Sequence, residues 1–134
     1  VATFYSMYNL APVGAYYLQA CRTTPCWLRG SDSVIRAIKD RLGIANKGMS
    51  VDGKFSLLEV ECLGACANAP ILQVNDDFYE DLDYDKTVSL LDALARDEVP
   101  TPGSMAGRTG AMPAPGATSL TETAGQETSA AGED

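Results

Sequence analysis

Val13–Cys26 reads VGAYYLQACRTTPC, and Phe55–Cys66 reads FSLLEVECLGAC. Each stretch opens with apolar and aromatic residues and runs into a pair of cysteines, Cys21 with Cys26 and Cys62 with Cys66. The composition predicts strands over Val13–Cys21 and Phe55–Cys62, each delivering a cysteine at its C-terminal end. If a helix joins the two strands, they are parallel neighbours and their C-terminal ends share one edge of the sheet. All four thiols then come within reach of one site.

The intervening sequence supplies such a helix. Ser31 or Asp32 is in position to cap it. Val34, Ile35, Ile38 and Leu42 fall on one face, Arg36, Lys39, Asp40 and Arg41 on the other, and Gly43 is a natural stop. Residues 47–54 read as a loop with a turn at Asp52-Gly53. Downstream, Ile71–Val74 and Phe78–Glu80 flank the turn residues Asn75-Asp76-Asp77 and predict a hairpin ending in an edge strand. A second helix is expected over Asp85–Asp97, with Val88, Leu91, Leu94 and Ala95 inward. The order β-α-β-β-β-α is the layout of an α/β domain of thioredoxin-like type.

The four cysteines exhaust the chain's thiols, and there is no histidine. Four thiols in two loops suit a tetrathiolate metal site. Zinc knuckles are usually C-x2-C, whereas these loops are C-x4-C and C-x3-C. Longer, unequal loops suit a [2Fe–2S] cluster, in which each iron takes two thiolates. A structural four-cysteine zinc site and two disulfides remain as alternatives; disulfides require an oxidising compartment, and nothing in the sequence announces secretion. Without histidine there is no Ser-His or Cys-His nucleophile pair and no Rieske centre. There is no C-x-x-C dithiol and no G-x-G-x-x-G nucleotide loop.

The 134 residues are enough for one domain. The chain opens on Val1, which reads as a processed chain or a fragment. Residues 1–12 form an aromatic-rich N-terminal arm, expected to pack on the domain and alternatively to dock on a missing upstream segment or a partner. Residues 13–102 form the domain. Residues 103–134 hold many Gly, Ala, Ser and Thr and no aromatic residue, a composition that predicts a disordered tail. The net charge of −8 makes a poor nucleic-acid binder, and no run of eighteen apolar residues provides a membrane span.

Around the thiols, Pro25 restricts the backbone before Cys26, and Gly64 lets the second loop turn sharply and bring N–H groups towards sulfur. Both residues are also ordinary turn formers. Trp27 and Leu28 are placed to pack and to shield the site from water. Arg22 and Arg29 flank the first loop, as solvated side chains by default. Six carboxylates crowd residues 76–85. They lack EF-hand spacing and read as a solvated edge that discourages strand pairing, with a docking surface for a basic partner as the alternative.

Tyr16–Val34 (YYLQACRTTPCWLRGSDSV) and Glu59–Leu82 (EVECLGACANAPILQVNDDFYEDL) closely resemble the thioredoxin-like [2Fe–2S] subunit, of 24-kDa type, of the NADH dehydrogenase module of respiratory complex I. The resemblance covers about residues 3–102 and rests on CRTTPCWLRGS and ECLGAC-x-x-AP. It implies Cys21, Cys26, Cys62 and Cys66 as cluster ligands, and a larger flavoprotein partner that carries FMN and NADH. It implies a one-electron carrier beside that flavin in NADH:quinone oxidoreductase. The same module occurs in NAD-linked hydrogenases and formate dehydrogenases. It further implies a peripheral position on the cytoplasmic side of the inner membrane, or the matrix side in mitochondria, without membrane insertion. Relatives carry a helical segment before the position of Thr3, which makes residues 1–12 its remnant. Ala69-Pro70 is expected to be cis, as thioredoxin-like folds commonly have at this point.

Overall fold

The computed structural model describes residues 1–113 and 115–119. Its elements are β1 (Tyr16–Cys21), α1 (Thr24–Leu28), α2 (Ser31–Leu42), β2 (Phe55–Val60), a 3-10 turn (Cys66–Asn68), β3 (Leu72–Val74), β4 (Asp77–Glu80), α3 (Tyr84–Ala95) and β5 (Gly103–Ser104). The five strands form one sheet in the order β2-β1-β3-β4-β5.

β1 and β2 are parallel neighbours, running in register from Tyr16 opposite Phe55 to Cys21 opposite Val60. This is the pairing expected from the intervening helix, which must return the chain to the same end of the sheet. β3 and β4 make the hairpin, antiparallel to each other, and β3 is also antiparallel to β1.

Side chains alternate across β1. Leu18 and Ala20 point into the main core and are 0% and 1% exposed. They meet Leu57, Leu72, Val74 and Tyr79 from the sheet, with Val34, Ile35 and Ile38 of α2 and Leu90, Leu91 and Leu94 of α3. Both long helices therefore cover one face. Cys21 follows Ala20 and so points to the opposite face. There it joins a second small cluster with Cys26, Ala69 and Ile71. Strand alternation thus separates the residues that build the fold from the first thiols.

Several local expectations change. The first strand begins at Tyr16 instead of Val13, and the second ends at Val60 instead of Cys62, because the chain leaves the ladder before the second cysteine pair. The loop after Cys21 contains the short helix α1, with Pro25 in its first turn, a position where the missing N–H costs nothing. Neither Ser31 nor Asp32 caps α2. The residue ahead of the helix is Gly30, whose φ of 98° is readily reached only by glycine. The Ser33 hydroxyl donates to the Gly30 carbonyl at 2.7 Å, and Ser31 is buried with its own hydroxyl unpartnered among the described residues.

In α3 the inward stripe is Thr87, Leu90, Leu91 and Leu94; Val88 is half-buried and Ala95 exposed. Thr87 can face the core because its hydroxyl donates to the Asp83 carbonyl at 2.6 Å, satisfying the polar group within its own helix. Asp83 caps that helix by accepting from the Lys86 N–H at 2.8 Å.

The chain also keeps regular structure beyond the expected boundary at 102. Gly103–Ser104 pairs in parallel with β4. Met105 packs on the core, and Arg108 bonds to Asp81 through two nitrogens, Nε at 2.9 Å and Nη2 at 2.6 Å. The segment is held by polar contacts and strand pairing, which a composition poor in apolar residues does not reveal. The disordered reading of residues 120–134 falls outside the described residues.

The acidic run is likewise more than a solvated edge, since Asp81 and Asp83 both have structural partners. Burial works to raise the Asp81 pKa, but hydrogen bonds from Arg108 and Ser104 and the charges of Arg108 and Lys86 outweigh it, leaving it below the usual carboxylate value. A depressed folded-state pKa stabilises the fold above the unfolded value, about 3.9 for Asp. That contribution is lost as pH falls through the folded value. Asp81→Asn is therefore expected to lower the urea midpoint at pH 7 and to shrink that deficit below about pH 4, measured by urea titrations across pH. An undiminished deficit at low pH would contradict the ion-pair account.

Candidate metal centre

Each thiol is placed by a different local device. Cys21 is the last residue of β1, and its N–H donates to the Ile71 carbonyl at 3.3 Å. Cys26 lies in α1, one turn of chain later, and is 1% exposed. Cys62 lies two residues beyond β2. Cys66 opens the 3-10 turn and lies, like Cys62, at the surface. The parallel register of β1 and β2 brings both pairs to one edge of the sheet. All four cysteines are free.

Gly64 makes the second loop possible. Its φ is 86°, left-handed backbone that an L side chain rarely adopts. With this turn the Gly64 N–H points at Cys62 Sγ, 3.4 Å away, and Cys62 and Cys66 Sγ approach to 3.4 Å. Ala69-Pro70 follows directly and is cis, as expected.

The environment is asymmetric. Burial pushes the Cys26 thiol up to about 12, aided by its hydrogen bond with Cys21 and opposed by a backbone hydrogen bond from Ile71. The hydrogen bond with Cys62 raises Cys66 as well. Thiols of this kind hold their protons until a metal takes their place. Leu63, Ala65 and Phe78 pack against the buried pair. Among the described residues no three His, Cys, Asp or Glu side chains lie close enough together to hold one metal ion; the close sulfur contacts are within the pairs, Cys21 with Cys26 and Cys62 with Cys66.

The apolar flanking residues depart from expectation. Trp27 and Leu28 are 55% and 70% exposed, so they do not shield the thiols within this chain. Proximity to a ligand in sequence carries no information about the direction of a side chain on a one-turn helix. Arg22 remains about half exposed, as expected of a solvated side chain, and pairs at the surface with Glu59 at 2.8 Å and Asp32 at 2.9 Å. Arg29, Cys66, Ala67, Pro70 and Arg108 share a surface cavity of about 500 Å3.

The family profile described as thioredoxin-like [2Fe-2S] ferredoxin matches residues 1–95. The chain belongs to the thioredoxin-like [2Fe–2S] ferredoxin family. Membership brings the family's [2Fe–2S] cluster with it. Among curated proteins, this ferredoxin is similar to an NADH-quinone oxidoreductase subunit of Rickettsia bellii, 56% identical over 97 residues, covering 72% of this chain and 58% of the relative. The corresponding subunit of Rickettsia conorii is 55% identical, with the same coverage of each chain. The chain thus spans just over half the length of these relatives.

Among solved structures, an air-oxidised NAD+-reducing [NiFe]-hydrogenase superposes with a TM-score of 0.66 at 17% identity, covering 72% of this chain and 17% of that one. A thioredoxin-like [2Fe-2S] ferredoxin from Aquifex aeolicus gives 0.53 at 17% identity, covering 72% of this chain and 100% of that one. These two likenesses establish the fold. No helix among the described residues is long and apolar enough to cross a membrane.

Sequence reasoning missed Asn68 and Arg108 near this ferredoxin's thiols. Asn68 is 4% exposed and sits two residues after Cys66. The sole signal for Arg108 is that no other charged residue lies between Pro102 and Glu122.

Proposed function

We propose that this chain is the one-electron carrier subunit of an NADH:quinone oxidoreductase, in which Cys21, Cys26, Cys62 and Cys66 hold a [2Fe–2S] cluster beside the flavin of an NADH-oxidising partner. The observation that supports the reading is the parallel register of β1 and β2, whose C-terminal ends each lead into a thiol pair, in a chain 56% identical to a subunit of an NADH-quinone oxidoreductase.

The residues present fit such a cluster. The donor set is four free thiols, soft ligands suited to iron–sulfur chemistry. It is divided into two pairs, with the Gly64 N–H directed at sulfur. When bound, the cluster would supply reversible one-electron transfer. The chain's own residues do the rest. Cys21 and Cys26, buried in an apolar pocket, and Cys62 and Cys66, at the surface, would hold the cluster. Hydrogen bonds to sulfur and local charge then set the potential.

The partner in this reading is a flavoprotein subunit that carries FMN and NADH. Trp27 and Leu28 form an exposed apolar patch next to Cys26, of the kind that marks a protein contact. The assembly would sit peripherally on the cytoplasmic face of the inner membrane, or the matrix face in a mitochondrion. The test is to add NADH to the iron-loaded chain with and without the flavoprotein and follow visible absorbance. Bleaching of the chain's chromophore only in the complex is expected. No reduction in the complex, or reduction of the isolated chain by NADH, would contradict the reading.

A further inference from the structure

The polar hub behind Cys66 joins residues of the stretch matched by the family profile to Ser104, Arg108 and Gly110, which lie beyond it. Asn68 is the last residue of the 3-10 turn that Cys66 opens. Its side chain is fully occupied although buried: Nδ2 donates to Glu80 Oε2 and to the Gly110 carbonyl, both at 2.6 Å, and Oδ1 accepts from Arg108 Nη2. Arg108 Nη2 also donates to the Ala67 carbonyl at 3.0 Å. The same guanidinium is clamped on Asp81 by two nitrogens.

Asp81 is held in turn. Ser104 Oγ donates to Asp81 Oδ2 at 2.5 Å. Ser104 Oγ also accepts from the N–H groups of Ala106 and Arg108, each at 3.2 Å. The Asp81 N–H donates to the Asn68 carbonyl at 2.7 Å. The side chains of both Arg108 and Asp81 are mostly shielded, 16% and 12% exposed. Residues 103–110 thus cross over the turn and grip two consecutive residues after Cys66, through Ala67 and Asn68.

We propose that residues 103–110 are a strap that fixes the second thiol loop, with Arg108 as a positioning residue that sets how firmly Cys66 is held against the cluster and in what orientation. The inference rests on the reading of Cys66 as a ligand. The geometry calls for arginine in particular. Nε and Nη2 clamp the Asp81 carboxylate as a planar two-nitrogen fork, which a lysine ammonium cannot reproduce, and this clamp aims Nη2 at the Asn68 amide oxygen and the Ala67 carbonyl. Removing it would leave the Asn68 amide and the Ala67 carbonyl without their shared donor and the turn free on its outer side. Residues that orient a ligand from behind typically change metal retention by about 10–100-fold.

The test compares the full chain with Arg108→Lys and Arg108→Gln, and with Arg41→Gln as a control that breaks only a surface pair with Asp92. Iron release to a chelator and the electron paramagnetic resonance line shape of the reduced chain are read on loaded protein. Both Arg108 variants are expected to release iron ~10–100-fold faster and to show a shifted line shape, and the control to match the unchanged chain. Hydrogen exchange at the Asn68 and Ala69 amides is read on cluster-free protein, where both variants are expected to lose protection while the β1–β2 amides keep theirs. Unchanged line shape and release in both variants would overturn the proposal, even with a lowered melting temperature, as would full rescue by lysine. Equal protection at Asn68 and Ala69 would also overturn it. If the unchanged chain takes up no iron, the ligand reading fails, and the exchange experiment still decides whether the strap grips the loop.

Discussion

Cys26→Ser is expected to abolish cluster binding, taking the iron content of the purified chain from about two per chain, as a [2Fe–2S] centre requires, to near zero. Cys26 is the most enclosed of the four thiols, 1% exposed and packed with Cys21, Ala69 and Ile71. A serine there fits sterically but presents a hydroxyl, a hard donor that resists ionisation in an apolar pocket and binds iron–sulfur units poorly. Cys21→Ser should behave alike. Cys62→Ser and Cys66→Ser act at the exposed pair and should also lose or destabilise the cluster, with water able to reach the vacated position. Iron and acid-labile sulfide assays on all four variants check this. Unchanged content in every variant would remove these cysteines from the account.

The second large effect lies in the fold. Leu91 is 0% exposed where α3 meets the main core, and Leu91→Ala should destabilise the chain by about 2–5 kcal/mol. That is a large part of the ~5–15 kcal/mol typical of a whole domain. With a urea slope of about 1–3 kcal/mol per molar, the unfolding midpoint should fall by roughly 0.7 M or more. A loss below about 0.5 kcal/mol, the scale of a surface substitution, would mean that the helix layer does not carry the core. Because the main core and the thiol pocket lie on opposite sides of β1, the folded fraction of this variant should still take up iron.

Much of this architecture was legible in the sequence because it follows from strong local rules. Two apolar stretches that each end at a cysteine, separated by an amphipathic helix, leave parallel pairing as the simple solution, and that pairing gathers the thiols. Gly64 was readable because a C-x3-C loop has to reverse direction and only glycine does so freely. What was not legible was polar or short. A five-residue helix such as α1 has too little length to show a period. The α3 stripe was right at Leu91 and Leu94 but took Val88 and Ala95 where Thr87 and Leu90 face inward; Thr87 looks polar, yet its hydroxyl is satisfied by the Asp83 carbonyl. Arg108 is invisible to any reading based on composition, since its partners Asp81, Asn68 and Ala67 lie 27 to 41 residues away in the chain. The exposure of Trp27 depends on which way a single helical turn faces, and no neighbouring residue encodes that.

The exposure of the N-terminal arm has a comparable origin. Phe4, Met7 and Leu10 are 83%, 74% and 69% exposed, contrary to the expectation of a packed arm. Their aromatic and aliphatic character predicts burial, but the main core is already closed by α2 and α3, and the arm only lines an open surface cavity with Tyr17, Met49, Leu57 and Leu58.

The central claim is that four thiols at one sheet edge make a one-electron centre. Electron paramagnetic resonance of the anaerobically purified, dithionite-reduced chain, with iron and sulfide assayed on the same sample, tests it most directly. The account predicts a spin-half signal of the reduced [2Fe–2S] type with about two irons and two sulfides per chain. A silent sample that holds one zinc, or no metal and two disulfides, would contradict it.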